Sequence, residues 1–298
     1  MSENGPGRIE PGASNGVSPF AVLYDRAVES LLEVSVADAW LETTAGPTHL
    51  LTAGDVSATP VLVFQGGNVT NPVTLSWVQA LADDNYLIAP DTPGQPGKTT
   101  SETPSEFGPW VVDVLDGLGL DSAAIIGVSH GGVLLEAAAH TPARIDAAAL
   151  VVPAGFGTAL SVDLARIVVP SLGYRFVPRR RLLLRALAPM FTQPVSSIDD
   201  IIIETIGRAL RTGDLAAEFP GPDEPGALAE FEGPALVITA EHDPFFPGKR
   251  TCKRAAQTLP SVAECTLLTG ERHFLSPAGQ NRATERIRTF LDKRISYS

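Results

Sequence analysis

Lysine is almost missing from this 298-residue chain: Lys98, Lys249, Lys253 and Lys293 are all there are. With 34 acidic against 22 basic residues, the formal net charge is −12. Nucleic acid or an anionic membrane surface would be repelled by that balance, so neither is an expected partner. The acidic excess fits a salty cytoplasm or simply the composition of a GC-rich genome. Cysteine is equally sparse. Cys252 and Cys265 are the only two. They lack a metal-ligand spacing such as C-x-x-C and read as free thiols in a reducing compartment. Long apolar runs are lacking too. The most apolar window, Ala147 to Val162, is interrupted by Pro153, Gly155 and Gly157 and is too short to span a bilayer. Residues 1–18 have neither the basic start nor the apolar stretch of a signal peptide and read as a disordered lead-in. Repeats and low-complexity tracts are absent as well. The expectation is a cytoplasmic protein with no membrane partner, its oligomeric state left open.

What is present is a large apolar fraction, 44% of residues, enough for a sizeable core. Ser18-Pro19 reads as a cap and first-turn proline, and Leu23, Ala27 and Leu31 recur at helical spacing, predicting a helix over 19–32. Ala39–Thr43 and His49–Ala53, joined through Gly46-Pro47, read as an antiparallel strand pair. Six short, largely apolar runs follow: Val61–Phe64, Tyr86–Ala89, Ala123–Val128, Ala147–Val152, Ala235–Thr239 and Ala263–Leu268. Runs of this kind suit strands buried on both faces of a parallel sheet. Helical patterns alternate with them at Leu75–Ala82, Pro109–Leu118, Gly132–His140, Lys249–Thr258 and Asn281–Leu291. The prediction is an α/β protein with a mostly parallel, eight-stranded, doubly wound sheet. Residues 157–232 break the rhythm. They contain helical pieces at Arg180–Phe191 and Ser196–Leu210, with Ser196 and Ser197 as caps, and read as a helical cap between core strands. The core then comprises 19–156 and 233–298.

Gly127-Val128-Ser129-His130-Gly131 lies between an apolar strand and a small-residue helix. Glycine two before and two after a serine at a strand–helix turn is the nucleophile-elbow pattern. Gly127 and Gly131 let strand and helix approach closely enough for the turn; the plain alternative is a tight turn with a surface serine. A serine nucleophile needs a base, an orienter for the base, and donors for an oxyanion. His273 follows the last predicted strand on a loop, and fits the base better than His49, His130, His140 or His242. Asp243 follows the preceding strand and is the candidate acid, with Glu241 as competitor. Candidate oxyanion donors are the backbone N–H groups of His130 and of Gly67, with Asn68 as second choice in the Gln65-Gly66-Gly67-Asn68 loop. No cofactor or metal is required by this set. Arg175, Arg179, Arg180, Arg181 and Arg185 form a basic cluster in the cap region, either a solvated helix face or a rim selecting a carboxylate. Trp77 and Trp110 read as core, and Phe245, Phe246 and Phe274 as part core, part pocket wall.

The elbow, the Pro90–Lys98 stretch and the Asp243 and His273 loops, taken in that chain setting, resemble the α/β-hydrolase superfamily. The similarity runs from about Tyr24 to Leu291, and the chain resembles the prokaryotic carboxylesterase-like branch. The resemblance implies Ser129 as nucleophile, Asp243 as acid and His273 as base, in the order expected for that fold. It also implies that the Asp91–Lys98 loop shapes the fold near the site without being catalytic. Many members carry His-Gly where this chain has Gln65-Gly66, and Gly-His where it has Glu271-Arg272-His273. Dehalogenase-like and epoxide-hydrolase-like members use an aspartate nucleophile, and Ser129 argues against both. The implied activity is cleavage of a small ester or related acyl substrate. C–C bond hydrolysis, cofactor-free perhydrolysis of the haloperoxidase-like kind, and a non-catalytic ligand-binding module are the alternatives.

Overall fold

The computed structural model describes residues 18–104, 106–132, 142–158, 161–213, 231, 233–259 and 264–295. The lead-in before residue 18, the elbow helix beyond Gly132 with His140, and Ala263 lie outside them. Eight strands form one sheet in the order β1-β2-β4-β3-β5-β6-β7-β8. They are β1 (Val36–Thr43), β2 (Gly46–Ala53), β3 (Thr59–Phe64), β4 (Asn85–Pro90), β5 (Ala123–Val128), β6 (Ile145–Val151), β7 (Ala235–Ala240) and β8 (Glu264–Leu268). β1 and β2 pair antiparallel and β2 meets β4 antiparallel; every pairing from β4 to β8 is parallel. β3, β5, β6 and β7 are buried along nearly their whole length, which is why they read as unbroken apolar runs rather than as alternation.

Alternate residues of these strands feed two cores. Val61, Val63, Ala124, Ile126 and Ile238 pack with Leu75, Trp77, Ile287 and Leu291 on one face. Leu62, Phe64, Ile125 and Val237 pack with Trp110, Val111 and Ala255 on the other. The helices are thus divided between faces, α2 (Asn71–Val78) and α8 (Pro277–Ile295) on the first, α3 (Gly108–Gly117) and α7 (Gly248–Thr258) on the second. Both tryptophans expected in the core are there. Trp110 is fully buried, with its indole N–H donating to Thr48 Oγ1 at 3.1 Å. The first helix, α1 (Ala21–Leu31), begins two residues later than predicted. Ser18 Oγ instead accepts from Phe20 N–H and donates to Gly97 O, tying the chain to the Pro90–Lys98 loop.

Between β6 and β7 lie α4 (Val162–Phe176), α5 (Arg180–Leu187) and α6 (Asp200–Thr212). The last two match the helical pieces expected from the sequence; α4 has no counterpart there, because its interior holds Pro170 and Gly173, both poor helix signals. Asp199, not Ser196 or Ser197, caps α6, accepting Ile201 N–H at 2.8 Å; the serines form a 3₁₀ turn before it. Ile203, Ile206 and Leu210 make the expected stripe on α6 and pack with Leu183, Leu187, Phe191 and Val73. Burying each such side chain contributes about 2 kcal/mol. α1 supports these helices from outside, through Leu23 and Ala27 against Ile201 and Ala209 and through the Arg26–Glu204 pair at 2.8 Å.

The expectation of free thiols is overturned. Cys252 on α7 and Cys265 on β8 form a disulfide. Packing of the helix against its own following strand brings their Cα atoms to 5.7 Å, within bridging range. Spacing alone could not show this, because two cysteines with no ligand pattern look alike whether paired or free. The argument for a reducing compartment goes with it. Among the described residues no helix is long and apolar enough to cross a membrane.

Candidate active site

β5 ends at Val128 and the backbone turns sharply at Ser129, whose φ is +51°. Only a crowded, over-determined turn holds a non-glycine residue there. Glycines on either side make the crowding possible. A Cβ on Gly127 would stand 2.6 Å from Gly131 O, and one on Gly131 would stand 2.5 Å from Phe64 O. The turn is anchored by Ser129 N–H donating to Val151 O and by Ala154 and Gly132 N–H donating to Ser129 O, each at 2.9 Å. Val152, just past β6, also has positive φ, +43°, a costly conformation for a β-branched residue that no sequence signal marked.

The structure brings Ser129, His273 and Asp243 into one hydrogen-bonded line. Ser129 Oγ and His273 Nε2 are 2.9 Å apart, and His273 Nδ1 and Asp243 Oδ2 are 2.7 Å apart. The Asp243 carboxylate is buried, and its other oxygen accepts the N–H groups of Phe245 at 2.8 Å and Phe246 at 3.0 Å. Glu241, the competing acid, instead accepts Gly270 N–H at 3.0 Å. His242 turns its ring towards Glu241. His49 is far from this line, buried between Asp38 and Asp91.

Gly67 lies against His130, whose Cβ would be 3.4 Å from a Cβ on the glycine. Asn68 N–H donates to Gln95 Oε1 at 3.0 Å, which leaves Gly67 as the better candidate donor of that loop. Gln65 is wholly buried. Its amide donates to Val69 O and Pro96 O and accepts Thr92 N–H, binding the candidate oxyanion loop to the Asp91–Lys98 loop. The His130 ring meets Phe107 edge-on, and desolvation pushes its pKa down to about 4, so it is neutral at pH 7.

A cavity of about 340 Å³ opens above Ser129. Its walls come from loops of the sheet and from α4, α5 and α6, including Ile167, Leu172, Leu187, Ile206, Phe245 and Phe246. A second recess of about 40 Å³ adjoins Ser129 on the side of Val69, Val73 and Trp77. Met190 and Phe274 face both spaces. None of the five clustered arginines lines the larger cavity. Arg175 donates to Leu210 O and Gly213 O, and Arg180 pairs with Asp200. Phe274, expected near the base, stacks on Phe191 at 4.3 Å.

Comparison with known proteins bears on the family. The model of the alpha/beta hydrolase family matches residues 66–284. The carboxylesterase YbfK of Bacillus subtilis is 21% identical over 281 residues, covering 91% of this chain and 93% of that protein. A second carboxylesterase of the same organism, nap, is 23% identical over 303 residues, with 96% of each chain covered. The crystal structure of the naproxen esterase from B. subtilis superposes with a TM-score of 0.76 at 21% identity, over 91% of this chain and 96% of that one. The chain belongs to the alpha/beta hydrolase family.

Proposed function

We propose that the protein is a serine carboxylesterase for neutral, largely apolar esters. The observation that carries this reading is the line Asp243–His273–Ser129 opening onto an apolar cavity. Ser129 attacks the ester carbonyl while His273 Nε2 takes its proton. Asp243 holds Nδ1–H, fixing the tautomer and stabilising the imidazolium. The N–H groups of His130 and Gly67 meet the developing oxyanion. His273 then returns the proton to the leaving alcohol. Water, activated by the same imidazole, releases the acid. In this reading α4, α5 and α6, the described helices of the 157–232 stretch, act as the cap that completes the substrate cavity, and its apolar walls exclude water from the acyl-enzyme. The carboxylesterases to which the chain is similar support ester bonds as the target.

The test is labelling with a serine-reactive phosphonate alongside hydrolysis of p-nitrophenyl esters. Wild-type protein should be labelled at Ser129 and Ser129→Ala should be inert. Label that persists in Ser129→Ala, or turnover of β-diketones in preference to esters, would overturn the assignment.

A further inference from the structure

The loop carrying His273 is joined to the inserted helices by more than side-chain packing. Phe274 N–H donates to Met190 O at 2.8 Å, and Thr192 N–H donates to Phe274 O at 3.0 Å. This makes a one-rung parallel β-bridge between Phe191 and Phe274. The residue before the base completes the joint from both ends. Arg272 N–H donates to Thr192 Oγ1 at 2.8 Å, and its guanidinium donates to Pro189 O at 2.9 Å. The same guanidinium lies 3.9 Å from Asp163, in the first turn of α4. Four hydrogen bonds therefore hold residues 189–192 to residues 272–274, directly beside the imidazole.

The other side of the loop is held by the sheet. His242 N–H donates to Glu271 O at 2.9 Å. Buried Glu271 accepts Ser276 N–H, Ser276 Oγ–H and Arg282. His273 thus sits where a strand-borne support and a helix-borne support meet. A histidine base loses effectiveness steeply when displaced from its nucleophile.

We infer that Arg272 and Thr192 are positioning residues for the reaction, holding His273 in register with Ser129 through the inserted helices. The bonds tie the base to the segment that includes Met190, which lines both spaces beside Ser129. What occupies the cavity therefore bears on the alignment of the base. The inference rests on the serine-esterase reading above.

The experiment measures kcat and KM for p-nitrophenyl acetate, and the rate of phosphonate labelling, in the full-length protein. The variants are Thr192→Val, Thr192→Ser, Arg272→Ala and Arg272→Lys, with melting followed by circular dichroism. Thr192→Val and Arg272→Ala should lower kcat and the labelling rate between about 10- and 100-fold, with KM within about twofold of wild type. Thr192→Ser and Arg272→Lys should restore most of the loss, since each keeps a partner for the joint. Folded Thr192→Val or Arg272→Ala with wild-type kcat would overturn the inference, as would equal losses in Thr192→Ser. If wild-type protein is not labelled at Ser129, the esterase reading fails and this inference with it. Labelled wild type with unaffected variants sinks the inference alone.

Discussion

Asp243 uses both oxygens of its carboxylate, one on His273 and one on the amides of Phe245 and Phe246. Asp243→Asn should keep this shape but present an amide where the imidazole N–H must be accepted. We expect kcat for a p-nitrophenyl ester to fall about 10⁴-fold, while Glu241→Gln stays within a few-fold of wild type; steady-state kinetics on both variants checks the contrast. Gly131→Ala should fail differently. Its Cβ would be driven against Phe64 O at 2.5 Å, a backbone atom that cannot turn aside. A loss of about 1–3 kcal/mol in denaturant unfolding is expected, and an unchanged midpoint would contradict it. Ser129, Asp243 and His273 were legible because each stands where an apolar run ends, a position that a linear pattern records. The bonds of Gln65, the strain at Val152 and the partners of Arg272 were not, because each depends on residues brought close only by folding.

At the level of elements, β3 to β8 match the apolar runs to within two residues at either end, because strands packed inside the sheet are written as such runs, whereas β1 and β2, at the antiparallel edge, each begin three residues before the strand pair read from the sequence. α4 escaped because Pro170 sits inside it and its exposed side carries Val162, Val169, Leu172 and Phe176, which blurs the stripe that marks a helix. The joint between α5 and the base loop sets Met190 at the boundary of the two spaces around Ser129. Met190→Ala should merge them. The ratio of kcat/KM for butyrate over acetate esters is expected to rise about tenfold, and an unchanged ratio would contradict it. The disulfide clips α7 to β8. Replacing both cysteines by serine, or reducing the bond, should cost about 3 kcal/mol for a loop of this size. Thermal melts with and without reductant test this, and coincident curves would contradict it.

Across the whole molecule, the charge balance hides one concentrated cluster. Buried His49 lies 2.6 Å from Asp38 and 3.2 Å from Asp91. Asp91 also accepts Asn71, Lys98 N–H and Thr99 N–H. Burial alone would lower the His49 pKa, but the bonds to Asp38 and Asp91 outweigh it and raise the value. The bond from His49 in turn holds Asp38 well below the usual carboxylate range. A raised histidine contributes stability that is complete below its unfolded value of about 6.5 and is lost as pH climbs through the folded one. The lowered Asp38 contributes above about 3.8 and fails as pH falls through its folded value. The gap in melting temperature between wild type and His49→Gln should therefore be widest near pH 5–6 and narrow towards pH 9; a gap constant with pH would refute the linkage. The sequence showed His49 only as a strand residue, since its partners come from β1 and from the loop after β4.

The bridge from Cys252 to Cys265 has one more consequence, topological rather than energetic. A single peptide cleavage anywhere between those two residues would leave two fragments still covalently attached, with Asp243 on one and His273 on the other. Such a nicked molecule would run as one species until reduced. It would bring its acid and base together again after unfolding as an intramolecular event rather than as an encounter between separate pieces.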